Sequence, residues 1–143
     1  MGRILGLDYG SKRIGIALSD PLKRIAQPFG AFSAVPEADV LEKIASLIRE
    51  QDVETVVVGF PLTLRGGKSR FTERVELFAG ELAKAISVPV AFWDERLSSQ
   101  QAQRILHQMG RKPSREKAAV DVLSAVLVLQ QYLDCLTERI HSS

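Results

Sequence analysis

A single cysteine, Cys135, and two histidines, His107 and His141, are all that the chain has in thiol and imidazole groups. One cysteine cannot close an internal disulfide, and neither histidine has a Cys or His partner at ligand spacing, so the sequence speaks against disulfide scaffolds and zinc or soft-metal sites. No G-x-S-x-G stretch supplies an activated serine, and Cys135 has no adjacent histidine, which argues against nucleophilic catalysis. Aromatic residues are scarce, at 6%, and Trp93 and the phenylalanines recur at core spacing, so no base-stacking platform is expected. The longest apolar run near the C-terminus, Val122 to Leu129, is interrupted by Ser124 and is far short of the about 20 residues a bilayer requires. No basic segment followed by an apolar run opens the chain. A cytoplasmic protein without a membrane span is the expectation.

What is present is ordinary in amount and uneven in placement. With 143 residues, 45% hydrophobic and 25% charged, the chain fits one globular domain over 1–143. The net charge of +2 conceals a segregation: residues 1–36 carry +3, 37–54 carry −4, 55–117 carry +5 and 118–143 carry −2. Basic charge therefore collects in two blocks, an arrangement that suits a polyanionic ligand but also describes a solvated basic face.

Two apolar runs, Ile4 to Leu7 and Ile14 to Leu18, flank a polar turn with Gly10 and read as a β-hairpin. A third strand near Gln27 to Phe32 contains Pro28 and Gly30 and is expected at a sheet edge. Val40, Leu41, Ile44, Leu47 and Ile48 recur at helical spacing from Glu37 to about Gln51. Thr55 to Phe60 is a buried strand. Phe71, Val75, Phe78, Leu82 and Ile86 share one face of a second helix, Val90 to Trp93 form a strand, and a third helix capped by Ser98 or Ser99 ends at Gly110. The last helix, about 116 to 136, has ten apolar residues among the twelve from Ala118 to Leu129 and is expected to be covered nearly all round. The order β-β-β-α-β-α-β-α-α implies an α/β fold: a mixed five-stranded sheet, a three-strand antiparallel meander plus parallel strands, with helices on both faces.

Chemistry is left to carboxylates. Sites in such sheets form beyond the carboxyl ends of parallel strands, where Asp8, Asp94 and Glu95 fall. Asp121 interrupts the apolar last helix, so a cation or hydrogen-bond donors must compensate its charge; a neighbouring Lys or Arg would serve as well as a metal. If the strand at Thr55 lies between the first and fifth strands, Asp8 and Glu95 start about 10 Å apart at Cα. Two hard cations about 3.5 to 4 Å apart fit that gap, and oxygen-only ligation selects magnesium or manganese. The Arg65-Gly66-Gly67-Lys68-Ser69 segment lacks the first glycine of a Walker A loop, Leu62 standing there. Arg65, Lys68 and Arg70 are instead candidates for phosphate-backbone contact, as is the denser cluster Arg111, Lys112, Arg115 and Lys117.

The blocks LGLDYGSKRIGIALSD (Leu5 to Asp20), VVVGFPL (Val56 to Leu62), DERLSS (Asp94 to Ser99) and KAAVDVLSAVLVLQQYLD (Lys117 to Asp134) together resemble the YqgF (RuvX) family of Holliday-junction-resolvase-like or pre-16S ribosomal RNA nucleases. The resemblance spans nearly the whole chain. It implies a ribonuclease H-like fold and a carboxylate-held divalent metal site, with Asp8, Glu95 and Asp121 at the acidic motif positions. Lys12 and Arg13 match the basic pair of the first block, and Gly59 and Pro61 its G-x-P turn. Asp94 and Asp20 are the candidates for a fourth carboxylate.

The function expected is hydrolysis of phosphodiester bonds in structured nucleic acid, with Asp8, Glu95 and Asp121 as catalytic residues holding Mg2+ or Mn2+ and Lys12 or Arg96 facing the scissile phosphate. Pre-rRNA is the first-choice substrate, with ribosomal particles as a further partner, and branched DNA the second. Two rivals are weighed. A D-x-G hairpin also opens actin-like and sugar-kinase-like ATPases, which need a second lobe that 143 residues do not provide. A non-catalytic RNA-binding module would be supported by loss of an acidic motif residue, and none is lost.

Overall fold

The computed structural model describes residues 2–10, 12–60, 69–94, 98–111 and 117–141. The hairpin forms β1 (Arg3–Tyr9) and β2 (Arg13–Ser19), paired antiparallel from Leu5 opposite Leu18 to Asp8 opposite Gly15 and Tyr9 opposite Ile14. β3 (Ala26–Ser33) adds to β2 as an edge strand despite Pro28 and Gly30, with a register shift opposite Ile16 and Ala17. After α1 (Glu37–Glu50), β4 (Val53–Phe60) returns parallel to β1. α2 (Arg70–Ala85) leads to β5 (Val90–Asp94), which is parallel to β4, and α3 (Ser98–Gln108) and α4 (Lys117–His141) follow. The sheet order is β3-β2-β1-β4-β5. β4 thus lies between β1 and β5, the order on which the expected separation of Asp8 and Glu95 depends.

Alternation along β1 divides the core. Leu5 and Leu7 join Ile14, Ile16, Val56 and Val58 under the buried stripes of α1 and α2. Ile4, with Ala17 and Val57, faces α4 through Ala125, Val128, Leu129 and Leu133. Gly6 lies on that second face, where a Cβ would come within 2.8 Å of Leu129 Cβ. Small residues on the sheet therefore let α4 lie against its backbone.

Helix ends follow local chemistry. Ser69 caps α2 by accepting from the Thr72 amide at 3.2 Å, while its own amide donates to Thr72 Oγ1 at 3.1 Å. α3 stops at Gly110, φ 78°, with the Arg111 amide donating to Leu106 O and the Gly110 amide to His107 O. That bond pair is the Schellman stop, which glycine accommodates without steric cost.

α4 departs from the expected all-round burial. The sheet covers its centre and α3 covers a flank, Ala102 and Leu106 packing on Val120, leaving Val122, Leu123, Val126 and Leu127 half-buried. By length and composition alone Lys117–Thr137 would pass for a membrane span, but Gly6 and Gly15 hold its backbone against the sheet. Gln130 ties it to the edge strand, accepting from the Ala26 amide at 2.8 Å and donating to Arg24 O at 2.9 Å.

Candidate active site

Asp8 is the last α4-facing residue of β1. Gly15 is its antiparallel partner, and directly opposed residues project to the same face. A Cβ on Gly15 would lie 2.0 Å from the carbonyl oxygen of Asp121 and 2.3 Å from its carbonyl carbon. The first turns of α4 therefore rest on the β2 backbone beside Asp8. At 100° per residue, Asp121 sits near the centre of the stripe made by Val120, Ser124, Ala125, Val128 and Leu129. Its carboxylate is accordingly directed at the sheet, at the end where Asp8 stands.

Asp121 is balanced by a cation from the same hairpin. Arg13 Nε donates to Asp121 Oδ2 at 3.1 Å, the two side chains being 30% and 24% exposed. Burial pushes the Asp121 carboxyl above the ordinary carboxylate range, and the Arg13 hydrogen bond and charge offset only part of that rise. A second cation beside it would offset the remainder of that rise. Ser124, one turn further along α4 and 1% exposed, has a hydroxyl without a hydrogen-bond partner among the described residues.

The other sequence candidates divide by position. Lys12 is exposed in the β1–β2 turn, where the Gly10 amide bonds Arg13 O and the Ala34 amide bonds Lys12 O. Lys117 is exposed four residues before Asp121, on the same side of α4. Arg70 is exposed at the start of α2, and Arg111 is exposed after α3. Arg13, expected to face substrate, is bound to Asp121 through its Nε. Glu95, Arg96, Arg65, Lys68, Lys112, Arg115 and the G-x-P proline Pro61 lie outside the described residues.

The fourth-carboxylate candidates do not join Asp8. Asp20 is at the far end of β2, where its Oδ1 accepts from the Arg24 and Ile25 amides at 2.8 and 2.9 Å. Those amides hold its pKa below the usual value, as in a turn-forming aspartate. Asp94 follows Trp93, which packs toward α4, so alternation points Asp94 to the opposite face.

No group of three or more His, Cys, Asp and Glu side chains that could hold a metal exists among the described residues. Asp8 and Asp121 are two of the three expected ligands. Their donor set is oxygen only, with no thiol or imidazole near it on β1, β2 or the first turns of α4, which fits a hard divalent cation such as Mg2+ or Mn2+. The contribution that sequence inspection missed is Gly15. Its signal was a glycine inside an apolar strand, which marks a close backbone approach.

Comparisons with known proteins agree with this fold. The sequence profile of RuvX, described as a Holliday junction resolvase, matches residues 2–135. A Chloroflexus aurantiacus protein, named provisionally as a pre-16S rRNA nuclease, is 44% identical over 131 residues, covering 92% of this chain and 86% of its own. A Syntrophus aciditrophicus protein of the same name is 43% identical over 137 residues, covering 96% and 91%. Among solved structures, T. thermophilus RuvC in complex with a Holliday junction substrate aligns with a TM-score of 0.60 at 16% identity, covering 96% of each chain. The fowlpox virus resolvase bound to Holliday junction DNA aligns at 0.59 and 11%, covering 94% and 98%. These two likenesses show the ribonuclease H-like fold. With the sequence matches over nearly its whole length, the chain belongs to the RuvX family of nucleases, hydrolases of phosphodiester bonds.

Proposed function

We propose that this protein is a divalent-metal-dependent nuclease whose first substrate is structured RNA, the 5′ region of pre-16S ribosomal RNA. The observation that carries the proposal is the packing of Asp121 over Gly15, which places it beside Asp8 at the carboxyl end of β1. Asp8, Asp121 and Glu95 would hold the cations, which when bound supply water activation and stabilisation of the leaving oxygen. Arg13 holds the Asp121 carboxylate in place, and Lys12 and Lys117 flank the carboxylates with positive charge suited to a phosphate backbone. The names of the 40–44% identical relatives support RNA as the substrate, and the family description supports branched DNA as the second reading. The deciding experiment is sequencing of the RNA 5′ ends that accumulate on depletion, beside incubation of purified protein with a four-way DNA junction. Extended 16S precursors with an intact junction support RNA processing; normal 5′ ends with a resolved junction support the DNA reading.

Divalent metal is expected to stabilise the fold, because clustered carboxylates repel when no cation is bound. At a free-metal concentration a hundredfold above Kd the gain is about 2.7 kcal/mol, enough to raise Tm by several degrees. Melting in EDTA, magnesium and manganese measures it, and three identical melting temperatures would remove the metal from the site.

Neutralising Arg111, Lys112, Arg115 and Lys117 together is expected to weaken binding equally for all sequences and leave folding intact. Each lost contact flattens the dependence of log K on log salt by about 0.7 on a single strand, so four give a change of up to about three. Titrations at several salt concentrations read that slope. An unchanged slope would make the segment a solvated turn.

A further inference from the structure

Among the described residues seven large hydrophobic side chains are exposed, and four of them, Leu22, Ile25, Phe29 and Val35, lie on β3 or its flanks, so apolar exposure there concentrates at one sheet edge. There β3 and α1 enclose a groove of about 460 Å³. Phe29, Phe32 and Leu47 line its apolar part, and Asp39, Glu42 and Glu50 on α1 supply carboxylates. One cation, Lys43, also lines it, its Nζ standing 5.8 Å from the centroid of the Phe32 ring. The ring face already takes a cation, and the segment 37–54 is the acidic one, at −4, in a chain whose net charge is +2.

We infer that this groove binds an extended basic segment of another polypeptide, an apolar side chain resting on Phe29 and Phe32 and flanking Lys or Arg side chains facing Asp39, backed by Glu42, at one end and Glu50 at the other. Eleven residues of helix separate Asp39 from Glu50 by about 16 Å, the reach of about five extended residues, so the basic groups stand about five residues apart in the ligand.

Charge and geometry exclude the other occupants. A nucleic acid would meet a surface of its own sign. A second copy docking groove to groove would set carboxylates against carboxylates, and docking its basic segments into the groove would be a heterologous contact that propagates without closing. Strand addition along β3 is interrupted by Pro28, which lacks an amide hydrogen, and by the register shift. Recognition is therefore by side chains. The groove opens on the α1 face of the sheet, whereas Asp8 and Asp121 lie between the opposite face and α4, so occupancy leaves the carboxylates accessible. The inference stands independently of the nuclease substrate.

The test uses the full chain and a fluorescein-labelled probe, Gly-Lys-Ser-Phe-Ser-Leu-Arg-Gly, followed by anisotropy at low salt. Binding is expected, weakening at least tenfold in the Glu42→Lys/Glu50→Lys variant and in Phe29→Ser. A probe with Lys and Arg exchanged for Glu should reverse the order, preferring the doubly substituted protein. Both variants should melt near the parent and retain its cleavage activity, since neither touches the carboxylate site. Equal affinity of the basic probe for parent and variants, or no binding to any, overturns the inference. So does competitive displacement by a single-stranded oligonucleotide, which would make the surface a nucleic-acid site. A parent dimer in sedimentation that the Glu42→Lys/Glu50→Lys change dissociates would place a second copy in the groove.

Discussion

Exchanging Asp121 for asparagine is expected to lower cleavage at least about a hundredfold while leaving the metal-free protein no less stable at neutral pH. The loss of activity follows from removing one anionic oxygen ligand beside Asp8. The stability follows from the sign of the Asp121 shift. Its folded-state pKa is raised above the ordinary 3.8, with burial the larger cause and Arg13 only a partial offset. An acid with a raised folded pKa favours folding below its unfolded value and loses that contribution as pH climbs through the folded one. At neutral pH the ionised carboxylate is therefore a net cost, which asparagine removes while its carbonyl still accepts from Arg13 Nε. Melting in EDTA from about pH 3 to pH 7 should show the parent losing stability relative to the variant as pH rises through the raised pKa. The opposite pattern is equally readable. A variant that keeps near-parental activity but loses about 3 to 5 kcal/mol would mean that Arg13 is stranded and Asp121 serves the fold alone.

The strands, the helices and the sheet face shared by Asp8 and Asp121 were legible because they depend on local periodicity. Val53–Phe60 and Glu37–Glu50 match the sequence expectation to within a residue or two, and the edge position of β3 follows from Pro28. What was not legible is pairing across sequence distance. Arg13 meets Asp121 across 108 residues, and no one-dimensional pattern distinguishes that arginine from Lys12, which stays exposed. The burial of α4 was overestimated for a related reason. An apolar helix signals how much surface can be covered, whereas the partners available, one sheet face and the short helix α3, set how much is. Asp20 was a candidate for a fourth carboxylate. Its oxygen instead closes a turn over Arg24 and Ile25, a role its position before Pro21 permitted but did not require.

Gly15→Ala is expected to damage stability and catalysis together, although it alters no charge and touches no reacting group. The added Cβ would stand 2.0 Å from Asp121 O, 2.3 Å from Asp121 C and 2.9 Å from Val122 N. All three are backbone atoms of a helix, so no side-chain rotation relieves the overlap. Either α4 lifts from the sheet by more than 1 Å or β2 bends away from β1, and tight cores resist both. Overpacking of this kind costs about 1 to 3 kcal/mol or more. The same displacement carries Asp121 away from Asp8, and a misplacement of about 1 Å costs about a hundredfold in rate. Gly80 is the internal control. It lies in α2 with nothing within 4 Å of a built Cβ, so Gly80→Ala should stabilise by about 0.5 to 1 kcal/mol through helix propensity and leave cleavage unchanged. Thermal melts and single-turnover cleavage on both variants separate packing at the site from a general effect of alanine. Parental Tm and rate in Gly15→Ala would mean that α4 does not rest on β2 at this point, and that Asp121 reaches the sheet by some other route.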